Sequence, residues 1–392
     1  MLPKKFCNFI FILFFGSLSS QTLKLKIEDS ENGESISHAR IILSNTILYS
    51  NDDGFVLLPE NSKNFEISAA GYQTEKFANY TEVLKLKPLY KNIDEVKIVN
   101  IDIKKIFEDV FDNYTDRYYT KPTVYDITYN QKNSSNGKVN FLFIFDGKLW
   151  TLSNTYLFKD AIYKKFDGFI QMQMDKVRYY KSQEFTNELE AGTLDKSKDF
   201  IGDIFFNFQL SRLTKLFKMK DIKYSGRLIN ESNDEQIISY NITIPKYMKI
   251  SGVITYNKAD KVITHFEFNY DQSQQEAKKK KSQNGDSYLA KLGNGKITYD
   301  FYKSDNNYMP TAVISEGDGY TSIMDTTEIS NSFKREIIFR KFNSADMNGL
   351  ENKIDLNKKI WENVPNQDQK DDNVLLSNEE KQFIEEKTNE KN

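Results

Sequence analysis

The chain has 392 residues, room for two or three domains. Hydrophobic residues make up 39% and charged residues 28%, the balance of a folded soluble chain rather than a helical membrane bundle or a disordered one. Lys plus Arg number 54 against 56 Asp plus Glu, so no strong field points to nucleic acid, and two histidines with one cysteine leave metal-hydrolase and Cys/His nucleophile schemes short of parts.

Residues 1–20 read as a signal peptide. Lys4 and Lys5 precede the apolar run Phe9–Phe15, and Gly16, Ser17, Ser19 and Ser20 follow before Gln21. The run is far shorter than the ~20 residues of a spanning helix. Cys7 lies ahead of it instead of at the cleavage point, which argues against a lipid anchor. Cleavage within 19–21 leaves a mature chain with a slight acidic excess, no cysteine and no transmembrane segment. Its expected place is the periplasm or the outer-membrane periphery.

Residues 21–90 read as short strands. Leu23, Leu25 and Ile27 alternate with Lys24, Lys26 and Glu28, the period of a half-buried strand. Asn32-Gly33 turns the chain, and Ala39–Leu43 is a second strand. Asn51-Asp52-Asp53-Gly54 leads into Phe55–Leu58, then come Phe65–Ser68 and Val83–Leu86. Strands at this spacing, with no helix between them, predict a β-sandwich. Asp29–Ile41, Ser50–Leu57 and Ile67–Tyr72 follow the order and spacing of three motifs of the carboxypeptidase-regulatory-like domain, a transthyretin-like β-sandwich that residues 22–88 resemble. The family's first loop carries Pro and Gly where this chain has Ser35 and His38. Leu84–Pro88 and Asn92–Val99 resemble the exit that follows this domain in envelope proteins. TonB-dependent receptors share that lead-in but continue into a long membrane barrel, for which this chain has no room. The resemblance implies a bacterial envelope protein in which the sandwich precedes an uncharacterised β-rich region. It does not bring a peptidase with it.

Residues 91–122 read as a linker and a helix over 101–116. Ile103, Phe107, Val110, Phe111 and Tyr114 give that helix one apolar face, and Lys121-Pro122 ends it. Residues 123–345 are dominated by hairpins. Val124–Gln131 and Lys138–Phe145 flank Asn136-Gly137, and Lys249–Tyr256 and Lys261–Tyr270 flank Asn257–Asp260. Tyr308–Glu316 and Tyr320–Ser330 bracket Gly317-Asp318-Gly319, which reads as a turn. Phe200–Leu216 reads as a helix packed on the sheet. The fold class expected is mainly β: an N-terminal transthyretin-like β-sandwich, then a curved antiparallel sheet or half-barrel with a few helices, as in periplasmic lipoprotein carriers by analogy. Gln272–Asp286 reads as a polar loop. Its Lys278–Lys281 run is either solvated or drawn to anionic headgroups. Residues 346–392 read as a polar C-terminal segment, with a short exposed helix beginning at Leu376–Glu380 and a loose tail.

Chemistry is sparse. A zinc carboxypeptidase needs a His and Glu in close spacing plus a second His. Only His38 and His265 exist, on different expected domains, and neither opens an HxxE. No GxSxG and no Gly-rich phosphate loop is present. Asp52-Asp53 and Asp371-Asp372 are adjacent acids of the kind that sit solvated in turns. Asp325-Thr326-Thr327 fits a short O-glycosylation pattern. Tyr118-Tyr119, Tyr179-Tyr180, Trp150 and Phe141–Phe145 are core residues or the wall of a sugar or lipid groove. No catalytic, cofactor-binding or metal-binding residues are assigned, no cofactor is expected, and binding residues stay unassigned. The expectation is an exported, non-catalytic envelope protein. Its sandwich would be an interaction module, and its β-rich domain would bind a ligand or partner at the outer membrane. The alternatives are a periplasmic carrier of a lipid or acylated ligand, marked by a hydrophobic cavity, and a carbohydrate-binding protein. Candidate partners are an outer-membrane or other envelope component and a lipid or glycan ligand; nucleic acid is not among them.

Overall fold

The computed structural model describes residues 22–43, 46–89, 99–156, 166–182, 204–232, 234–281, 285–364 and 375–386. The expected signal peptide, residues 90–98 of the expected exit segment, residues 200–203 of the expected helix, Asp371-Asp372 and the end of the tail lie outside them.

Strands β1 (Thr22–Asp29), β2 (Arg40–Leu43), β3 (Thr46–Tyr49), β4 (Phe55–Pro59), β5 (Phe65–Ser68), β6 (Glu75–Phe77) and β7 (Val83–Leu86) form a two-sheet sandwich. One sheet has the order β4-β1-β7 and the other β3-β2-β5-β6. The period-two pattern of β1 buries Leu25 and Ile27 against Ile41, Val56, Leu58, Phe65, Ile67 and Leu86, a core of its own. Gly54, at φ +79°, stands where a Cβ would lie 2.8 Å from the Ile27 carbonyl oxygen, so the turn into β4 needs glycine.

The second sheet has thirteen strands among the described residues. In chain order they are β8 (Asn100–Ile101), β9 (Thr123–Ser135), β10 (Lys138–Thr151), β11 (Ile170–Ser182), β12 (Lys223–Ser232), β13 (Glu235–Ile244) and β14 (Met248–Asn257). Then come β15 (Val262–Asp271), β16 (Lys278–Lys281), β17 (Ser287–Leu292), β18 (Gly295–Ser304), β19 (Asn307–Met324) and β20 (Thr327–Ser344). The main path runs β11-β10-β9-β20-β19-β18-β15-β14-β13-β12-β8. The sheet is large, curved and antiparallel, and among the described residues it closes into no barrel.

Two strand readings need correction. Gly317-Asp318-Gly319 is no hairpin turn: β19 runs through it, with a register shift between Gly319 and Tyr320. A Cβ on Gly317 would lie 2.3 Å from the Asn294 carbonyl oxygen, so the glycine serves close approach of a neighbouring turn. The real turn is Asp325-Thr326, between β19 and β20, with Asp325 at φ +51°. Lys278–Lys281 is strand rather than loop: it pairs with β17, which pairs with the far half of β19. Its charges hide a strand from a hydrophobic-pattern reading, yet lysine is the residue that suits an outlying edge strand.

Helix α1 (Ile103–Asp112) starts at Asp102, whose carboxylate accepts from the Lys105 backbone N–H at 3.1 Å. A short α2 (Tyr114–Arg117) follows, and α3 (Phe206–Leu216) comes after β11. The C-terminal segment is largely exposed among the described residues, but a few of its apolar side chains are not. Leu356, Ile360 and Trp361 enter the core of the large sheet, and Trp361 lies 4.5 Å from Phe141, centroid to centroid. Helix α4 (Asn378–Glu385), capped by a Ser377–Glu380 capping box, buries Phe383 against Val139, Leu142, Ile144 and Tyr179. A few large apolar side chains decide this packing, and a mean over a polar segment hides them.

Candidate functional site

Alternation along the strands gives the large sheet two faces of opposite chemistry. One face carries Tyr125, Ile127 and Tyr129 of β9, Phe141, Phe143 and Phe145 of β10, and Ile337 and Phe339 of β20. It continues with Tyr299 and Phe301 of β18, Phe266 of β15 and Tyr240 of β13. All belong to one apolar cluster with α1, α2 and α3. Flat, the main path would span roughly 45–50 Å at ~4.8 Å per strand, whereas an eleven-residue helix is only ~16 Å long. One cluster can join both ends only because the sheet curls around the helices, so this is the inner face.

The cover is built from rings. Phe107 of α1 meets Tyr240 and Phe266 at 5.3 and 5.9 Å. Phe206 of α3 meets Phe266, Tyr299 and Phe301 at 5.1, 5.4 and 5.2 Å. The Tyr118 hydroxyl donates to the Ile263 carbonyl at 2.8 Å and accepts from its N–H at 2.9 Å, tying the chain after α2 to the sheet. Between these groups a cavity of about 20 Å³ remains, lined by Tyr114, Tyr118, Phe205, Phe206 and Phe301 among others. That holds about one water. The open hydrophobic cavity expected of a carrier is not present here among the described residues: side chains of the helices fill that space.

Helix α3 is an unusual plug. Alongside Phe206, Leu210 and Leu213 it buries Asn207, Gln209, Ser211 and Thr214. Ser211 and Thr214 turn their hydroxyls back to carbonyls of their own helix, those of Phe208 and Ser211. Asn207 Oδ1 is buried with no hydrogen-bond partner among the described residues. A buried, unmatched acceptor costs about 1–3 kcal/mol.

The outer face is the more polar one, apart from the apolar patch beneath α4, and carries the sandwich. Both histidines lie there, which their sequence positions did not reveal. His38, in the first sandwich loop, reaches Glu336 of β20: Nε2 to Oε1 is 2.5 Å. It stands at φ +54°, the left-handed conformation. Glu336 also accepts from Asn130 Nδ2 at 3.0 Å and lies 3.3 Å from Lys334 Nζ. Its carboxyl is held well below the ordinary range: burial would raise it, but Lys334 and His38 outweigh burial. Asp52 pairs with Lys334 and, at 3.0 Å, with Lys132. Arg40 donates to the Phe301 carbonyl, and the Tyr49 hydroxyl to Thr311 Oγ1 at 2.6 Å. Asp52 and Asp53 are therefore not idle turn acids, since Asp53 accepts from the Asn378 N–H at the start of α4.

Beside this contact a cleft of about 590 Å³ opens between sandwich and sheet, lined by His38, Arg40, His265, Glu267, Asp300 and Lys296 among others. His265 Nδ1 is 2.6 Å from Asp300 Oδ1, and Nε2 is 3.5 Å from Glu267. Burial alone would lower the His265 pKa. Asp300 and Glu267 overcome this and raise it from 6.5 to about 9, while Asp300 is lowered. The folded-state value of His265 lies above the unfolded one. Its ion pair therefore adds stability that is fully present below about pH 6.5 and lost as pH rises through about 9. Denaturant titrations across that window should show a fall on the order of 3 kcal/mol, absent in His265→Gln. A flat profile in the wild-type chain would count against the pair.

The aromatic candidates divide. Tyr118, Phe141, Phe143, Phe145 and Tyr180 join the inner core, Tyr179 packs under α4, and Trp150 is 2% exposed. None lines an open groove among the described residues. There, too, no group of three or more His, Cys, Asp or Glu could hold a metal ion.

No family model and no curated protein sequence matches the chain. Among solved structures it is similar to an outer membrane lipoprotein-sorting protein domain from Vibrio parahaemolyticus, at 12% identity over 63% of this chain and 94% of that one, TM-score 0.25. It is also similar to a LolA superfamily protein from Nitrosomonas europaea, at 13% identity over 62% and 94%, TM-score 0.21. A third likeness is to lipovitellin, at 8% identity over 60% and 27%, TM-score 0.24. Scores of this size carry no argument about ligand or role. No helix among the described residues is long and apolar enough to cross a membrane.

Proposed function

We propose that the large sheet is a carrier of an acyl chain, or of a ligand bearing one, taken up on the inner face when α3 withdraws. The observation that carries this reading is the polar burial of α3. A helix meant to stay in a core is apolar where it is buried. This one buries Asn207, Gln209, Ser211 and Thr214 beside the residues that seal the aromatic wall. Gln209, Ser211 and Thr214 have hydrogen-bond partners, and it is the unmatched Asn207 Oδ1 that weakens the closed form without exposing the sheet. A helix is also not hydrogen-bonded into the strands, so it can leave while the sheet stays whole. An acyl chain would replace the rings of Phe205 and Phe206 on Phe266, Tyr299 and Phe301, exchanging one apolar contact for another. No group at the inner face is asked to do chemistry, and the proposal is a binding protein rather than an enzyme.

The sandwich fits this scheme as an anchor. We read it as a carboxypeptidase-regulatory-like module on its three motifs. Its first loop and its Asp52-Asp53 turn face the protein's own sheet, so the surface left for an envelope partner is the opposite side. The exported form belongs in the periplasm or at the outer-membrane periphery on this reading.

Native mass spectrometry of the protein purified gently from the envelope tests the carrier. Extra mass that leaves on denaturation and fragments as a lipid is expected. A bare chain, together with no uptake of added long-chain fatty acid, would overturn the reading.

A further inference from the structure

We infer that the β16–β17 hairpin is a contact site for an anionic, phosphate-bearing lipid surface. This goes beyond the carrier reading and does not depend on it. Lys278–Lys281 are all exposed, and β16 pairs on one side only, with β17. The register sets Lys279 opposite Leu289 and Lys281 opposite Ser287. Strand alternation then puts Lys279, Lys281, Leu289 and Lys291 on one face and Lys278 and Lys280 on the other. Leu289 is 43% exposed amid those three lysines, and the next residue pair of the same face is Ile323, across from it on β19.

Among the described residues the lysines of this face outnumber its acids. Glu328, opposite Ile323 on β20, is the acid of that face; Glu276 lies two residues before β16 and Asp286 directly before β17 in sequence. Lys280 is engaged elsewhere and is not counted. Several cations around an exposed leucine match a lipid surface in two ways. Lysines meet phosphates, and the leucine enters the region beneath them. A soluble polyanion would use the lysines and leave the leucine without a role. The placement also matters. The hairpin extends β19 beside the Asp325-Thr326 turn, and β20 there meets the end of β9: Asn331 lies opposite Ser135. The lysines thus stand at a rim of the curled sheet.

The test is flotation of the envelope-purified protein with vesicles. One set is phosphatidylcholine alone and the other contains an equal part of phosphatidylglycerol. The protein should float with the anionic set at low salt and be released at ~1 M salt, where screening is shortest. Replacing Lys279, Lys281 and Lys291 together with glutamine should weaken partitioning about 100-fold, at about 5-fold per lysine. Its melting temperature should stay unchanged, because these side chains are exposed. Leu289→Ser should weaken it further without altering the salt dependence. Equal flotation with both vesicle sets, or a triple variant that partitions like the parent, would overturn the assignment. Loss of binding to a soluble polyanion with no change in flotation would overturn it too.

Discussion

Replacing Phe206 with alanine should lower the unfolding free energy by about 3–5 kcal/mol, the cost of truncating a buried phenylalanine. The ring is 1% exposed and touches Phe266, Tyr299, Phe301, Tyr114 and Tyr118, all of them bulky, so the site collapses poorly. The new void joins the small cavity that Phe206 already lines. Apolar voids of this kind stay dry and take apolar molecules. Thermal melts with and without a long-chain fatty acid should therefore separate two effects. The variant alone melts low, and ligand in excess recovers part of the loss by mass action. A variant that melts low and ignores every apolar ligand would leave Phe206 as ordinary core and count against the carrier reading.

Glu336→Gln should loosen the sandwich while sparing the inner face. The substitution keeps the shape but leaves Lys334 facing an uncharged amide, and it weakens the grip on His38. Removing one member of a buried ion pair costs about 3–5 kcal/mol. The carboxylate is mostly but not wholly buried, so the lower end applies. The two domains have separate apolar cores, so calorimetry should resolve the sandwich as an earlier, smaller transition in the variant. A double-mutant cycle with His38→Gln should return a coupling energy of ~1 kcal/mol or more. An unchanged calorimetric trace would show that the cluster around Glu336 does not hold the domains together.

Much of the architecture was legible in advance, because it rests on local rules. Alternation in Leu23–Glu28, the Asn136-Gly137 turn and the apolar face of Ile103–Tyr114 act within a few residues, and the strands and helix they predict are present. What was not legible depends on register and distance. Gly317 and Gly319 look like a turn until one sees which strand passes against them. Lys278–Lys281 carries no hydrophobic signal and becomes a strand because β17 offers an edge. The candidate sites were harder still. His38 and His265 are far apart in sequence and unremarkable singly, and only the packing of sandwich on sheet brings both to one cleft. The polar face of α3 was visible as letters, but its burial was not.

The pairing of β9 with β20 sets how this chain must acquire its fold. These strands lie side by side inside the sheet, third and fourth from its β11 edge, with Thr123 opposite Ser344 and Ser135 opposite Asn331, yet nearly all the rest of the sheet lies between them in the chain. Contacts of such sequence separation close late and slowly, because a long loop must be ordered first. The seam between β9 and β20 cannot zip until β20 has emerged, so the newly synthesised chain waits with unpaired strand edges and the aromatic wall uncovered. During that interval the molecule is at its most aggregation-prone. The sandwich, whose contacts close within its own short stretch, is free to fold first and offers the last strand a surface on which to settle.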